Sequence, residues 1–241
     1  MAVNKDINLQ QAYLLHSRPY RDNSLLVNLL TEQNGHVSAV VYVGKGKKSN
    51  KKGLLQPFAN LQIEIKGKND LKNLSRIEHA DKSMQLSGNY LYSGFYLNEL
   101  MVRLLPENIP LENLFSLYQN SLTQLLKQNT LEPLLRRFEM SLLAELGLSL
   151  DFSELSSPPL DVNEPYCEDV YFIQEQGFVS ADYQCNLPSY KRSHLITIGD
   201  GKLEQAEVLL TCKRLMRQVL KNYLGNKPLN SRKLFINKLA R

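Results

Sequence analysis

The stretch "SLLVNLLTEQNGHVSAVVYV", residues 24–43, holds two apolar runs around one turn. Asn34-Gly35 is the dipeptide that a tight hairpin turn prefers, because both central positions need a positive φ. Beyond the turn, Val37, Ala39, Val41 and Val43 fall at every second position, so they share one face of a strand. The pair predicts a β-hairpin, and its neighbours extend it. "QAYLLHSR" is a strand candidate on the amino-terminal side, ending at Pro19. "NLQIEIK", residues 60–66, alternates cleanly, with Leu61, Ile63 and Ile65 on one side and Gln62, Glu64 and Lys66 on the other. After the turn "GKND", "LKNLSRIEHA" supplies a fifth strand. Five short strands with no covering helix among them favour a small closed barrel, since closure removes exposed edges. The OB-fold is the five-stranded version that binds oligonucleotides.

After residue 82 the apolar period becomes helical. "SGNYLYSGFYLNELMVRLLP" places Leu91, Phe95, Leu97, Leu100, Met101 and Leu104 at helical spacing and stops at Pro106. "PLENLFSLYQNSLTQLLKQ" and "LEPLLRRFEMSLLAELG" are a second and third helix, the latter ending at Gly147. Residues 151–165 form a connector rich in proline and serine. "DVYFIQEQGFVSAD" reads as two short strands around Gln176-Gly177, and a short helix near 188–194 follows. "LEQAEVLLTCKRLMRQVLKNYLG" is the strongest helix, closed by Gly225. "NSRKLFINKLAR" opens a last helix with Asn230 or Ser231 as N-cap. The expected class is α+β. An OB-fold barrel over 1–80 precedes a helical domain over 81–241, and a β-ribbon is inserted at 160–187.

Composition is that of a globular chain, with 43% hydrophobic and 22% charged residues. The start, "MAVNKDINLQ", has no apolar h-region, and no apolar run approaches the length of a membrane span. Three cysteines, Cys167, Cys185 and Cys212, cannot close a disulfide framework and suit a reducing compartment. The expected location is the cytoplasm. Charge is segregated. Residues 1–80 carry 12 Lys/Arg against 6 Asp/Glu, residues 81–201 carry 7 against 16, and residues 202–241 carry 10 against 2. Two basic ends around an acidic middle suit a polyanionic partner. Solvated faces that happen to differ in sign are the alternative.

"GKGKKSNKKG", residues 44–53, concentrates the first basic end, with five lysines and nothing apolar. It fails as Walker A, because Lys48 follows Gly46-Lys47 and Val41 stands five before Gly46. It fails as G-x-G-x-x-G, because Ser49 takes the third glycine position. Zinc fails as well: Cys167 and Cys185 stand apart without a C-x-x-C pair, and Cys212 sits on an apolar helix face. His16, His36, His79 and His194 show no ligand spacing. No constellation calls for catalysis or for a cofactor. Binding is better supported. Lys45, Lys47, Lys48, Lys51 and Lys52 act as point charges that can track phosphates, and Arg18 and Arg21 in "SRPYRD" add to them. Tyr13, Tyr20, Tyr42 and Phe58 could stack bases or pack in the core. On the long helix, Leu209, Cys212, Leu215, Met216, Val219, Leu220 and Tyr223 share one arc. Lys213, Arg214, Arg217 and Lys221 share the adjacent one, a basic ridge or a solvated face.

The runs "LLHSRPYRDNSLLVNLLTEQNGHVSAVVYVGKGKK", "LLQPF", "SGFYLNELMVRLLP", "PLLRRFEMSLLAELG" and "LGNKPLNSRKLF" occur in this order over nearly the whole chain. Together they resemble the RecO family of bacterial recombination and repair proteins, in its γ-proteobacterial form. The resemblance implies an OB-fold followed by a helical domain. It also implies a small region that in some members holds zinc through four cysteines, of which only Cys167 and Cys185 have counterparts here. It implies no enzymatic activity, and the departure to two cysteines leaves no expected metal. It implies binding of single- and double-stranded DNA and annealing of complementary strands. With RecR, such a protein loads RecA on gaps covered by single-strand binding protein (SSB), at the nucleoid. The acidic tail of SSB, ending in a hydrophobic residue, needs an apolar pocket rimmed by cations. Leu135, Arg136, Arg137, Phe138 and Leu142, in the run that includes Leu134 and Leu146, are the candidates; a core stripe with solvated arginines is the alternative. An OB-fold RNA-binding factor with a helical adaptor fits the same residues. A nucleic-acid-processing enzyme would need convergent carboxylates or histidines, which the sequence does not display.

Overall fold

A computed structural model describes residues 9–44, 51–67, 69–81, 85–156, 167–180 and 186–236. Lys45, Lys47, Lys48 and Cys185 lie outside these described residues. The opening stretch forms a hairpin of β2 (Ser24–Thr31) and β3 (Gly35–Tyr42). Its register pairs Leu25 with Val41, Val27 with Ala39 and Leu29 with Val37. Thr31 Oγ1 ties the turn, donating to Gly35 O at 3.0 Å and accepting from Asn34 N–H at 3.1 Å. Gly35 is required there for two reasons. Its φ is +66°, and a Cβ would sit 2.0 Å from Ile109 O.

β1 (Gln10–Tyr20), β4 (Asn60–Lys66) and β5 (Lys72–His79) complete a closed barrel in the order β1-β2-β3-β5-β4. The β3–β5 contact is parallel and the others are antiparallel, which is the OB-fold connectivity. Ala12, Leu14, Val27, Leu29, Ala39, Val41, Leu61, Ile63, Leu74 and Ile77 fill its interior. A one-turn helix, α1 (Lys51–Leu54), lies in the β3–β4 connection. β1 runs through Pro19 rather than stopping before it. From Leu14 onward that strand pairs only with β2, so the missing proline N–H leaves no ladder partner short on its open side.

α2 (Gly88–Leu104) packs on β1 of the barrel, and α3 (Leu114–Leu126) packs on α2 and meets the barrel through Phe115 and Tyr118 against Tyr13. The contact face of α2 is less apolar than its leucine spacing suggests: Ser93, Gly94 and Asn98 are buried beside Tyr96, Leu97, Leu100 and Met101. Gly94 admits the Phe58 ring, whose atoms would lie 2.8 Å from an added Cβ. Asn98 Nδ2 donates to Leu15 O at 3.0 Å, and Tyr118 Oη donates to Asn98 Oδ1 at 2.5 Å. Tyr13 stacks edge-on to Tyr118 at 5.1 Å. α7 (Ser231–Ile236) also packs on α2. Its amino end is held by the Glu99 carboxylate, which accepts from Asn230 N–H, Ser231 N–H and Ser231 Oγ–H at 2.8, 2.8 and 2.6 Å. Residues 1–129 and 228–241 form one compact unit.

Residues 130–227 form the second. It contains α4 (Leu131–Glu145), a 3-10 turn (Ser153–Ser156), α5 (Arg192–Gly199) and α6 (Ala206–Leu224). β6 (Asp169–Ile173) and β7 (Gly177–Ser180) make the expected hairpin, and β8 (Ser189–Lys191) adds a third strand to it. The short helix expected near 188–194 is therefore shifted to α5, because 189–191 pair with β6. α6 buries Val208, Thr211, Cys212, Leu215, Met216, Val219 and Leu220, while Leu209 is half-buried and Tyr223 is exposed. Among the described residues no helix is long and apolar enough to cross a membrane.

Candidate nucleic-acid interface

The candidate surface begins with a bulge. Before it, Ala12 and Leu14 point into the barrel, and between Leu14 and His16 the register shifts by one residue. A one-residue slip exchanges the faces of a strand. His16, Arg18 and Tyr20 therefore lie outside, where simple alternation from Leu14 would place them inside. Across the sheet they meet matching outward positions. His16 pairs with Asn28 and Asn28 with Ser38; Arg18 pairs with Leu26 and Leu26 with Val40; Tyr20 pairs with Ser24 and Ser24 with Tyr42. The outer face of β1, β2 and β3 is thus a grid with a polar row, a mixed row and a tyrosine row. Tyr42 is 62% exposed.

Two neighbours turn this face into an open cleft of about 700 Å³. Asp70 and Leu71, from the β4–β5 turn, form one wall. Val102 of α2 and Glu107 form the other. A bonded chain runs along the floor. His36 Nδ1 lies 3.4 Å from Leu105 O, and His36 Nε2 lies 3.4 Å from Asn28 Nδ2. Asn28 Nδ2 donates to Ser38 Oγ at 2.9 Å, and Ser38 Oγ–H donates to Glu107 Oε1 at 2.6 Å. Burial lowers the His36 pKa, outweighing the Leu105 carbonyl and the Glu107 charge, so the ring is neutral at neutral pH. At the rim, the Arg21 guanidinium sits 5.2 Å from the Tyr20 ring centroid. The surface therefore combines cations and aromatic rings at its edge with hydrogen-bonding groups at its base.

The other expected contacts divide by environment. Tyr13 and Phe58 are core residues and offer no ring to a ligand. Lys52 is exposed, whereas half-buried Lys51 donates to Ser75 O at 3.2 Å. In the second unit, Arg217 and Lys221 are exposed on α6. Lys213 Nζ pairs with Glu132 Oε1 at 2.7 Å, and Arg214 stacks on Tyr190 at 5.5 Å. Of the apolar α4 stripe, Leu135, Phe138 and Leu142 are buried, and Arg136 is buried with them, pairing with Glu139 at 2.8 Å. Arg137 is the exposed member, 3.3 Å from an exposed Glu204. On the Arg137 side of α4, Met140, Ser141 and Ala144 border an apolar cleft of about 310 Å³ completed by Leu150 and Phe152. Cys167 is half-buried, and burial pushes the Cys212 thiol up to about 12. Among the described residues no three His, Cys, Asp or Glu side chains gather as a metal site.

The sequence alone does not mark Asn28, His36, Ser38 and Glu107 as lining one cleft. The outward parity of β2 and β3 marks Asn28 and Ser38 once the hairpin register is known. Glu107 carries no local signal, because its position depends on the loop after α2 crossing the hairpin. Asn108 N–H donates to His36 O at 2.7 Å in that crossing.

Comparison with known proteins covers both halves of the chain. The family "Recombination protein O N terminal" matches residues 7–82, and "Recombination protein O C terminal" matches residues 85–233. The "DNA repair protein RecO" of Cellvibrio japonicus is 42% identical over 233 residues, covering 95% of this chain and 97% of that protein. The protein of the same name from Pseudoalteromonas atlantica is 40% identical, covering 92% of each chain. That of Vibrio cholerae is 39% identical, covering 94% of this chain and 93% of its own length.

Proposed function

This chain belongs to the RecO family of DNA repair proteins, and we propose that it acts in recombinational repair as a mediator rather than an enzyme. In this reading it binds single- and double-stranded DNA and anneals complementary strands coated with SSB. With RecR, it helps load RecA at gaps, working in the cytoplasm at the nucleoid. The observation that carries the DNA reading is the outer face of the barrel, where Arg18 and Tyr20 line a hydrogen-bonding cleft, Arg21 stacks on Tyr20, and exposed Tyr42 lies in the same row of the sheet.

The contacts proposed for the phosphate backbone are Arg18, Arg21, Lys45, Lys47, Lys48, Lys51 and Lys52 on the barrel side. On α6 they are Lys213, Arg214, Arg217 and Lys221. Annealing brings two polyanions together, and basic surfaces lower that repulsion while releasing counterions. For the SSB tail, docking is proposed on α4. Arg137 supplies the accessible cation there, and Leu135, Arg136, Phe138 and Leu142 hold the helix in place from beneath. The apolar cleft beside Met140 and Ala144 suits a terminal hydrophobic residue. Annealing of SSB-coated complementary oligonucleotides tests the proposal. Accelerated duplex formation without nucleotide hydrolysis is expected. Failure to anneal, or preferential binding of RNA of the same sequence, would overturn it.

A further inference from the structure

We infer that the barrel cleft takes one unstacked base of a single strand and prefers a base that carries an exocyclic amino group. The inference rests on the DNA-binding reading and deepens it. The reasoning starts from donors already used. His36 Nδ1–H has Leu105 O as its acceptor, which leaves Nε2 unprotonated and able to accept from the Asn28 amide. Asn28 Nδ2 gives its second hydrogen to Ser38 Oγ, and Ser38 gives its own to Glu107. Both amide hydrogens and the hydroxyl hydrogen are committed within the protein. Along this bonded chain the capacity that remains for a ligand is oxygen: the Asn28 carbonyl and the Glu107 carboxylate. An acceptor-rich floor calls for a ligand with donors.

Charge then decides how a strand lies. Asp70 and Glu107 line the cleft and repel phosphate, while Arg18, on the β1 segment that pairs only with β2, and Arg21, stacked on Tyr20, supply the cations. The backbone keeps to the arginines and the base turns inward. Arg21 lies against the Tyr20 ring, a cation–aromatic pair on which an inserted base could stack. A base in a duplex has its amino group engaged by its partner strand, so the cleft selects single strands. Adenine, cytosine and guanine carry an exocyclic amino group with two hydrogens for these two acceptors, whereas thymine has only its single N3–H to give.

The test compares dodecamers of 5-methyldeoxycytidine and of thymidine, whose methyl groups match and which differ along one edge, a two-hydrogen 4-amino group beside a bare N3 against a 4-oxo group beside a single N3–H. Affinities for the full chain are measured by fluorescence anisotropy at one salt concentration and pH 7.5. The 5-methyldeoxycytidine strand is expected to bind roughly threefold to tenfold tighter, the range for one net hydrogen bond. Glu107→Gln keeps the acceptor for Ser38 and places an amide donor in the cleft. In this variant the ratio is expected to fall to about one or to reverse, whatever happens to absolute affinity. Equal affinities in the wild type, or an unchanged ratio in Glu107→Gln, would overturn the inference and leave DNA binding standing. Binding to neither strand would overturn both.

Discussion

Replacing Arg136 by alanine is expected to destabilise the second unit by about 3–5 kcal/mol, the cost of removing one partner from a buried ion pair. The magnitude follows from burial. The Arg136 side chain is 6% exposed and that of Glu139 is 0% exposed, with the charges 2.8 Å apart. The substitution removes that cation from a carboxylate that water does not reach, and it also removes an apolar stem packed in the core. Arg137→Ala is the matched control one residue along. Its partner Glu204 is 3.3 Å away, and the two side chains are 54% and 72% exposed, so the loss should stay below about 1 kcal/mol. The chain has no tryptophan, so urea denaturation is followed by far-UV circular dichroism. At a denaturant slope of about 2 kcal/mol/M, Arg136→Ala should lower the midpoint by about 2 M, and Arg137→Ala by less than about 0.5 M. Equal small shifts would refute the argument. They would mean that the Arg136–Glu139 pair is solvated and that its arginine is as accessible to a ligand as Arg137.

Arg137→Ala should weaken binding of an SSB tail peptide by about 1–3 kcal/mol, the range for hydrogen bonds to a charged group, with little change in DNA affinity; an unchanged tail affinity by calorimetry would place docking elsewhere. Changing Lys45, Lys47, Lys48, Lys51 and Lys52 to Gln should flatten the slope of log K against log salt by about 2, if about three of them each contribute roughly −0.7. An unchanged slope on two unrelated oligonucleotides would shift the DNA path to α6. For Glu99, burial acts against the carboxylate, but the hydrogen bonds from Ser231 and Asn230 outweigh it and its pKa is lowered. A depressed carboxylate contributes stability that is present above its unfolded value and lost as pH falls through its folded value. Glu99→Gln should therefore flatten the acid limb of thermal stability below about pH 4.5. Parallel acid limbs in variant and wild type would show that the contact contributes nothing.

Local chemistry made the elements legible and left their partners hidden. Asn34-Gly35 located the hairpin, and the alternation in "NLQIEIK" marked β4 from Asn60 to Lys66. Gly147 and Gly225 lie just beyond the ends of α4 and α6. These signals are read within a few residues. The bulge after Leu14 is not, because nothing local distinguishes Leu15 from its neighbours, yet it determines that Arg18 and Tyr20 lie on the outer face of the barrel. Arg136 and Glu139 stand at i and i+3, the spacing of a solvated helical pair; only the packing of α4 shows that they are inside. Asn98 looks like a surface residue until Leu14 and Leu15 present their carbonyls to it.

The placement of α7 has a consequence for the order of synthesis. The barrel unit is discontinuous in the chain, since residues 228–236 return to α2 after the whole of 130–227 has been made. A ribosome therefore releases the barrel, α2 and α3 first, with Tyr92 and Tyr96 still lacking the contacts of Phe235 and Arg232. The nascent amino-terminal unit must wait, with one helix face uncovered, while the second unit is translated. A frameshift or stop near codon 226 would leave every element of the second unit encoded, and its damage would appear in the first.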